Sequence, residues 1–295
     1  MQQITCPLQK LSNGIQIPTA GLGLYKSNAE DMQKLLQSAI EVGYRHFDTA
    51  ILYNNEEIIG DAFEKIFKEN IIKREEVFIT SKVFPNHGNV IENVKNSLKK
   101  LKLNYIDLYL LHWPSVAPGP NNQIVHRPVH QLWEELQQCV DQGLVKSIGV
   151  SNYNVQLLFD LLSYARIKPV MNQVELHVFL QQPDLIKFCK QFDVAVTAYC
   201  PLGRGGDMLQ DKTLVKIAQK YNKSVAQIML HHLNVNLGVI VIPKTEKIER
   251  LRENFDWRDF KMDQEDIDTL IKLDRNERIV DPRTREFLGY LPLFH

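Results

Sequence analysis

Short runs dominated by Val, Ile, Leu, Tyr and Phe alternate with longer stretches in which apolar residues recur at helical spacing, and the alternation repeats about eight times. The strand-like runs fall at 19–23, 44–48, 77–81, 106–112, 146–150, 170–175, 194–200 and 238–242. Helical periods occupy 28–42, 55–68, 89–101, 128–142, 154–165 and 184–191. Strands alternating with helices of this length predict βαβ units on a parallel sheet. About eight such units predict closure into an α/β fold of the (β/α)8 TIM barrel type rather than an open doubly wound sheet. The open sheet would usually bring G-x-G-x-x-G after its first strand, and Gly21-Leu22-Gly23-Leu24-Tyr25-Lys26 lacks the third glycine. Asn28-Ala29-Glu30-Asp31 and Ser151-Asn152-Tyr153-Asn154 supply capping side chains. Gly43 and Gly143 follow helical segments where a left-handed residue is wanted.

Two parts fall outside the repeat. Apolar runs flanking Ser12-Asn13-Gly14 read as a hairpin over 8–18, placed to plug the N-terminal end of the barrel. After the last strand come helices at about 247–253 and 263–273, the second an extra C-terminal helix, and then an aperiodic tail over 274–295. The tail carries Phe287, Leu288, Tyr290, Leu291, Leu293 and Phe294, an apolar content that predicts packing against the barrel. No linker or low-complexity stretch divides the chain, so residues 1–295 are expected to form a single domain.

At 295 residues the chain is long for one domain, yet α/β barrels reach this length as a unit. A composition of 44% hydrophobic and 24% charged residues suits a globular protein with a large core. Thirty-five Lys and Arg balance thirty-five Asp and Glu with no basic block, which argues against a nucleic-acid partner or a polybasic membrane contact. No apolar run approaches the roughly eighteen residues of a membrane span, and Met1-Gln2-Gln3-Ile4-Thr5 lacks the order of a signal peptide. A cytoplasmic protein is expected, and its neutral surface and self-contained barrel favour a monomer. Cys6, Cys139, Cys189 and Cys200 are scattered, which predicts free thiols rather than disulfides or a zinc site.

The chemistry gathers just after the strand-like runs. Asp48 and Tyr53 follow the second, Lys82 the third and His112 the fourth, and Ser151-Asn152, Gln173, Tyr199 and Lys244 follow later ones. In a parallel barrel these ends point to one face, where a polar residue is more often functional than structural. Taken singly, Asp48–Lys82 reads as a structural ion pair and His112 as a core histidine; together with Tyr53 they make an acid, a base, a cation and a neutral donor. A lysine ammonium ~4 Å from a phenol, at an effective dielectric of ~20, contributes about 4 kcal/mol. That would lower the phenol by two or three units at ~1.4 kcal/mol each, less desolvation, and suit Tyr53 to protonate an oxygen near neutral pH. Asp48 would hold the ammonium charged, and His112 would orient a carbonyl. No nucleophile or H-E-x-x-H metal motif accompanies the set, His231-His232 diverge on a helix, and Pro128 separates His126 from His130. A site that protonates oxygen without metal or nucleophile points to carbonyl reduction by an external hydride, and so to a cofactor.

These residues lie within three longer motifs: Gly43-Tyr44-Arg45-His46-Phe47-Asp48-Thr49-Ala50-Ile51-Leu52-Tyr53-Asn54-Asn55-Glu56, Gly143-Leu144-Val145-Lys146-Ser147-Ile148-Gly149-Val150-Ser151-Asn152, and Ile242-Pro243-Lys244-Thr245 with Arg250 and Asn254 downstream. In all three, and collinearly over nearly the whole chain, the sequence resembles the aldo-keto reductases, barrel enzymes that use NADPH. The resemblance implies a catalytic tetrad of Asp48, Tyr53, Lys82 and His112, with Tyr53 the general acid in reduction. It puts Ser151, Asn152 and Gln173 on the nicotinamide carboxamide and Tyr199 against its ring. Lys244, Thr245, Arg250 and Asn254 would hold the adenosine end and Glu253 the adenine. Gly23, Leu24, Tyr25 and Asp48 on one side, and Cys200, Pro201, Leu202 and Gly203 on the other, complete the implied cofactor contacts. Two cations suit a 2′-phosphate, so NADP(H) is expected over NAD(H). Tyr25, Tyr53, Phe84, His112 and Trp113 would line an apolar substrate pocket walled by 115–127 and 274–295.

The chain departs from the family pattern at Tyr25, where many members have Trp, and at Thr245, where Ser is usual. The segment from Pro201 to Asp207 is short and glycine-rich, which predicts a looser clasp on the cofactor, with a Lys26–Asp207 tether across it. His177 reads as structural. The expected function is NADPH-dependent reduction of aldehydes and some ketones; the alternative is a cofactor-binding sensor or structural protein on the same barrel.

Overall fold

The computed structural model describes residues 6–27, 31–285, 288–291 and 293–294. The N-terminal five residues, the expected cap at Asn28 with Ala29 and Glu30, and Phe287 of the tail lie outside the described residues. An antiparallel hairpin, β1 (Leu8–Lys10) and β2 (Gln16–Pro18), precedes an eight-stranded parallel sheet. The sheet strands are β3 (Leu22–Gly23), β4 (His46–Asp48), β5 (Phe78–Val83), β6 (Leu108–Leu111), β7 (Ile148–Ser151), β8 (Met171–Glu175), β9 (Ala195–Tyr199) and β10 (Ile240–Val241), each paired with its sequence neighbour. The first and last strands meet. Gly21 N donates to Val241 O at 2.9 Å, Val241 N to Thr19 O at 3.0 Å and Gly23 N to Pro243 O at 3.1 Å, so the sheet closes into a barrel. A Cβ on Gly23 would stand 2.8 Å from Ile242 O, which is why glycine occupies this seam.

Helices α1 (Met32–Val42), α2 (Glu56–Lys68), α3 (Val90–Leu101), α4 (Val129–Asp141), α5 (Val155–Tyr164) and α6 (Pro183–Gln191) match the six helical periods to within a few residues. Their buried residues keep the expected spacing, as Met32, Leu35, Leu36, Ala39 and Ile40 show in α1. Asp31, Asn89 and Asn154 cap α1, α3 and α5 by accepting from the third residue beyond. Gly43 and Gly143 have φ of 125° and 70°. Helices α7 (Lys212–Tyr221) and α8 (Val225–His231) follow β9, and α9 (Ile248–Glu253) and α10 (Gln264–Ile271) follow β10.

The period of two sorts each strand between two cores. On β5, Ile79 and Val83 join the layer between sheet and helices, whereas Phe78 faces the barrel interior. There Phe78 packs with Leu108, Leu110, Met171 and Ile240, and with Leu11 and Ile17 of the hairpin, which plugs this end as expected. Asn13 Nδ2 donates to Ser147 Oγ at 2.9 Å and pins the hairpin beneath β7. The interior is therefore closed at one end by apolar side chains, with buried His46, Thr80 and Thr197 among them, and Lys82 and Asp48 stand at the other.

Candidate functional site

Strand geometry delivers the four expected residues to one place. Asp48 ends β4, Lys82 lies near the end of β5, His112 follows β6, and Tyr53 ends a 3-10 turn at Ile51–Tyr53. Lys82, 0% exposed, donates to Asp48 Oδ1 at 2.5 Å, to Thr49 O at 2.9 Å and to the Tyr53 hydroxyl at 3.3 Å. The Tyr53 ring stands edge-on to His112, centroids 5.7 Å apart, and edge-on to Tyr25 at 4.9 Å. Burying an ion pair of this kind breaks even at best in stability, so its retention here fits a chemical use.

The electrostatics correct one expectation. Burial, with the Asp48 carboxylate adding to it, holds the Tyr53 phenol well above the ordinary tyrosine range, whereas the lysine was expected to pull it down. Two facts explain the reversal. Desolvation of the phenol outweighs the ammonium, and the Asp48 carboxylate that pairs with Lys82 at 2.5 Å acts on the hydroxyl with the opposite sign. At rest the phenol therefore keeps its proton. Burial and the nearby ammonium push His112 well below its usual range, so the imidazole is neutral at pH 7.

The expected carboxamide group closes around the same point. Gln173 Nε2 donates to Asp48 Oδ2 at 2.8 Å, Ser151 Oγ to Gln173 O at 2.7 Å, and Asn152 Nδ2 to His112 O at 2.8 Å. The Tyr199 hydroxyl donates to Asn152 Oδ1 at 2.7 Å. Asn152 takes the left-handed conformation, φ 65°, which an Asn tolerates better than most residues and which aims its amide at His112. Ser151, Asn152 and Gln173 thus support one another and the four residues, with both amide hydrogens of Asn152 and one of Gln173 already committed. Gln173 Oε1 accepts no hydrogen bond among the described residues, and Asn152 Oδ1 keeps a second lone pair. Acceptors of this kind fit a carboxamide, whose N–H groups donate.

Around the rim, Gly23 bridges to Lys244, bringing Leu24 and Tyr25 beside the loop that follows β10. That loop and α9 carry Lys244, Thr245, Arg250, Glu253 and Asn254. Lys244 and Arg250 are exposed, although Lys244 also pairs with Glu246 at 3.2 Å; Thr245 and Asn254 are buried. The two exposed cations of this segment suit a phosphate, whereas the Thr245 hydroxyl is bonded to Lys247, donating to its O at 3.4 Å and accepting from its N at 3.0 Å. On the opposite side Pro201, Leu202 and Gly203 form a turn, followed by a 3-10 segment at Gly206–Gln210. Lys26 and Asp207 form no ion pair among the described residues. Arg204 reaches across instead, its guanidinium 6.0 Å from the Tyr25 ring. Burial raises the Cys200 thiol, so nothing here marks it as reactive.

Phe84 and Trp113 are buried together with Val116, Val280 and Leu288, against which Leu52, Leu293 and Phe294 also pack. The 115–127 segment and the tail thus meet over the site, and Gly289 lies so close to Ala117 and Pro118 that a Cβ would be 2.5 Å from Pro118 Cδ. Tyr290, expected to pack, is 60% exposed. His177 is buried against Glu175, in keeping with a structural role. Sequence reasoning did not single out Asn55, which is fully buried, accepts from Thr49 Oγ1 at 2.7 Å and donates to Leu24 O at 2.7 Å. It ties together the loops that carry Tyr25 and Tyr53. Its position two residues after the tyrosine, within the first motif, was the available signal.

Residues 15–275 match the family model described as the aldo/keto reductase family. The chain is 41% identical to aldose reductase C of Dictyostelium discoideum, over 93% of this chain and 92% of that protein. It is 40% identical to the NADP-dependent D-sorbitol-6-phosphate dehydrogenase of Malus domestica, over 91% and 94%. Among solved structures, a Bombyx mori aldo-keto reductase in complex with NADP superposes with a TM-score of 0.87 at 34% identity, covering 98% of this chain and 99% of that one.

Proposed function

The chain belongs to the aldo/keto reductase family, and from that premise we propose that it reduces aldehydes and some ketones to alcohols with NADPH, Tyr53 donating the proton. The observation that carries this reading is the contact of Lys82 Nζ with both Asp48 and the Tyr53 hydroxyl, at the barrel end where His112 and Gln173 also converge. When bound, NADPH supplies the hydride that no side chain can. Ser151, Asn152 and Gln173 would hold its carboxamide, Tyr199 would stack on the ring, and Lys244, Thr245, Arg250, Glu253 and Asn254 would hold the adenosine end with its 2′-phosphate. The related proteins support the cofactor: one is named NADP-dependent and another was crystallised with NADP.

Within this chain the proton is handled by a relay of fixed groups. A carbonyl oxygen entering between Tyr53 and His112 accepts hydrogen bonds from the phenol and the neutral imidazole. As negative charge develops on that oxygen, the phenol gives up its proton to what would otherwise be an alkoxide, a stronger base than phenolate. The ammonium of Lys82 stabilises the phenolate as it forms, and Asp48 keeps that ammonium charged and in place. Phe84, Trp113 and the tail exclude water from the oxygen while this happens. The names of two relatives, the sorbitol-6-phosphate dehydrogenase and the glyoxal reductase of Bacillus subtilis, favour small and polar carbonyl compounds as the substrate class. The neutral surface and the self-closed barrel favour a monomer acting in the cytoplasm as one domain.

The test is NADPH consumption with an aromatic aldehyde, comparing the natural protein with Tyr53→Phe. The variant should lose turnover by at least ~10²-fold, the range of a general acid, while NADPH binding followed by fluorescence is retained. Binding in both without turnover in either would favour the sensor or structural reading.

A further inference from the structure

We propose that Glu175 is a positioning residue that latches the C-terminal tail over the site and thereby sets substrate specificity; this rests on the reductase reading above. Glu175 ends β8 and is 0% exposed. Its Oε1 accepts from Ile279 N at 2.6 Å and pairs with His177 Nε2 at 3.0 Å, and its Oε2 accepts from Val280 N at 2.8 Å. A carboxylate taken wholly out of water is costly unless its lone pairs are satisfied, and here both oxygens are committed to the tail. These hydrogen bonds hold the carboxyl below the usual carboxylate range against the opposing effect of burial, so it is ionised at neutral pH.

The grip falls at a decisive point in the tail. Val280, one of the two residues held, packs with Phe84, Trp113, Val116 and Leu288 in the wall of the pocket. Upstream, Arg275 N and Glu277 N donate to Phe179 O at 3.1 and 2.9 Å, a separate anchor. Downstream, Arg285 donates back to Ile279 O at 3.0 Å, so the turn that carries Leu288 hangs from the segment that Glu175 holds. Glu175 also pairs in register with Tyr199 on β9, so the same strand ends set both the ring expected to face the cofactor and the wall expected to face the substrate. The carboxylate itself touches none of Asp48, Tyr53, Lys82 or His112. Its effect should therefore appear in how substrates are held rather than in the proton relay.

The experiment compares the full chain with Glu175→Gln, which keeps shape and one acceptor but removes the charge. Hydrogen exchange should show protection lost over 279–291 and kept over 275–277 and in the barrel strands. With NADPH, the KM for a bulky aromatic aldehyde should rise about tenfold, as for one lost charge-assisted hydrogen bond. The kcat for a three-carbon aldehyde and the NADPH dissociation constant should stay unchanged. Unaltered exchange over 279–291, or loss of protection spread evenly through the barrel, would overturn the proposal. Ile279→Pro removes a tail donor and leaves Val280 in the pocket wall; it should reproduce both the local exchange and the KM effect, and it decides the matter if Glu175→Gln does not fold. A natural protein that shows the local exchange response but reduces no aldehyde would refute the reductase reading and leave the latch standing.

Discussion

In the proposed reaction Tyr53 has to keep a proton at rest and part with it only when an oxygen becomes strongly basic. Its surroundings do both. Burial and Asp48 keep the phenol protonated, and Lys82 at 3.3 Å waits to stabilise the phenolate. The pH dependence follows in sign. Reduction needs Tyr53 protonated, and a raised phenol stays so throughout the neutral range. His112 is pushed down, so it is already neutral there. The rate constant for reduction should therefore be level between about pH 6 and 8, because neither group titrates near its ordinary value. It should fall only on the alkaline side, where Lys82 and Tyr53 lose protons as a coupled pair. A step near the ordinary histidine pKa that disappears in His112→Gln would contradict this assignment.

Among the elements, the segments after β10 and before β3 carry separable tasks. Arg250 on α9 is exposed and is assigned to the 2′-phosphate. Arg250→Ala should weaken NADPH binding by about 1.5–3 kcal/mol, the cost of a lost charged hydrogen bond, and barely change NADH. Paired titrations with the two cofactors check it, and equal losses would remove the assignment. The hairpin works at the other end. Ile17 is fully buried against Phe78, Leu108 and Met171, so Ile17→Ala should cost about 2–5 kcal/mol by leaving a cavity. Denaturant melts should register that loss while KM stays the same, since the apolar plug lies on the far side of Lys82. The turn after β9 shows how an element can redistribute a role: Asp207 was expected to reach Lys26, but the chain winds into a 3-10 segment there and Arg204 spans the gap.

For the molecule as a whole, the closed barrel places its titratable groups in two environments, a hydrated exterior and an interior that disfavours charge. His46 and His232 are buried, and burial pushes both down to about 4. A folded-state value below the unfolded one means the unfolded chain binds more protons between the two. The stability contributed is complete above about pH 6.5 and is lost as pH falls towards 4, by about 1.4 kcal/mol per pH unit for each histidine. Urea unfolding between pH 4.5 and 6.5 should show this slope, reduced by roughly one histidine's share in His232→Asn. An unchanged slope would mean that the imidazole is not buried as described.

The linear order of residues was enough to determine the barrel, its plug and the meeting of Asp48, Tyr53, Lys82 and His112 at one end. A period of two in strands and of 3.6 in helices is local, and parallel strands of one sheet necessarily present their C-terminal ends together. Asp48, Tyr53, Lys82 and His112 could therefore be read from strand ends, and the three motifs added the expected cofactor contacts. Quantities that depend on through-space distance could not be read in this way. The Tyr53 hydroxyl sits 3.3 Å from an ammonium, yet burial in the folded barrel, with the Asp48 carboxylate adding to it, outweighs that charge and reversed the expected shift of the phenol. Asn55 and Glu175 are unremarkable in sequence, because their partners at Leu24 and at 279–280 are joined to them only by the folded chain. Hydrogen bonds and desolvation act over a few ångströms, so only the tertiary structure decided which groups share them.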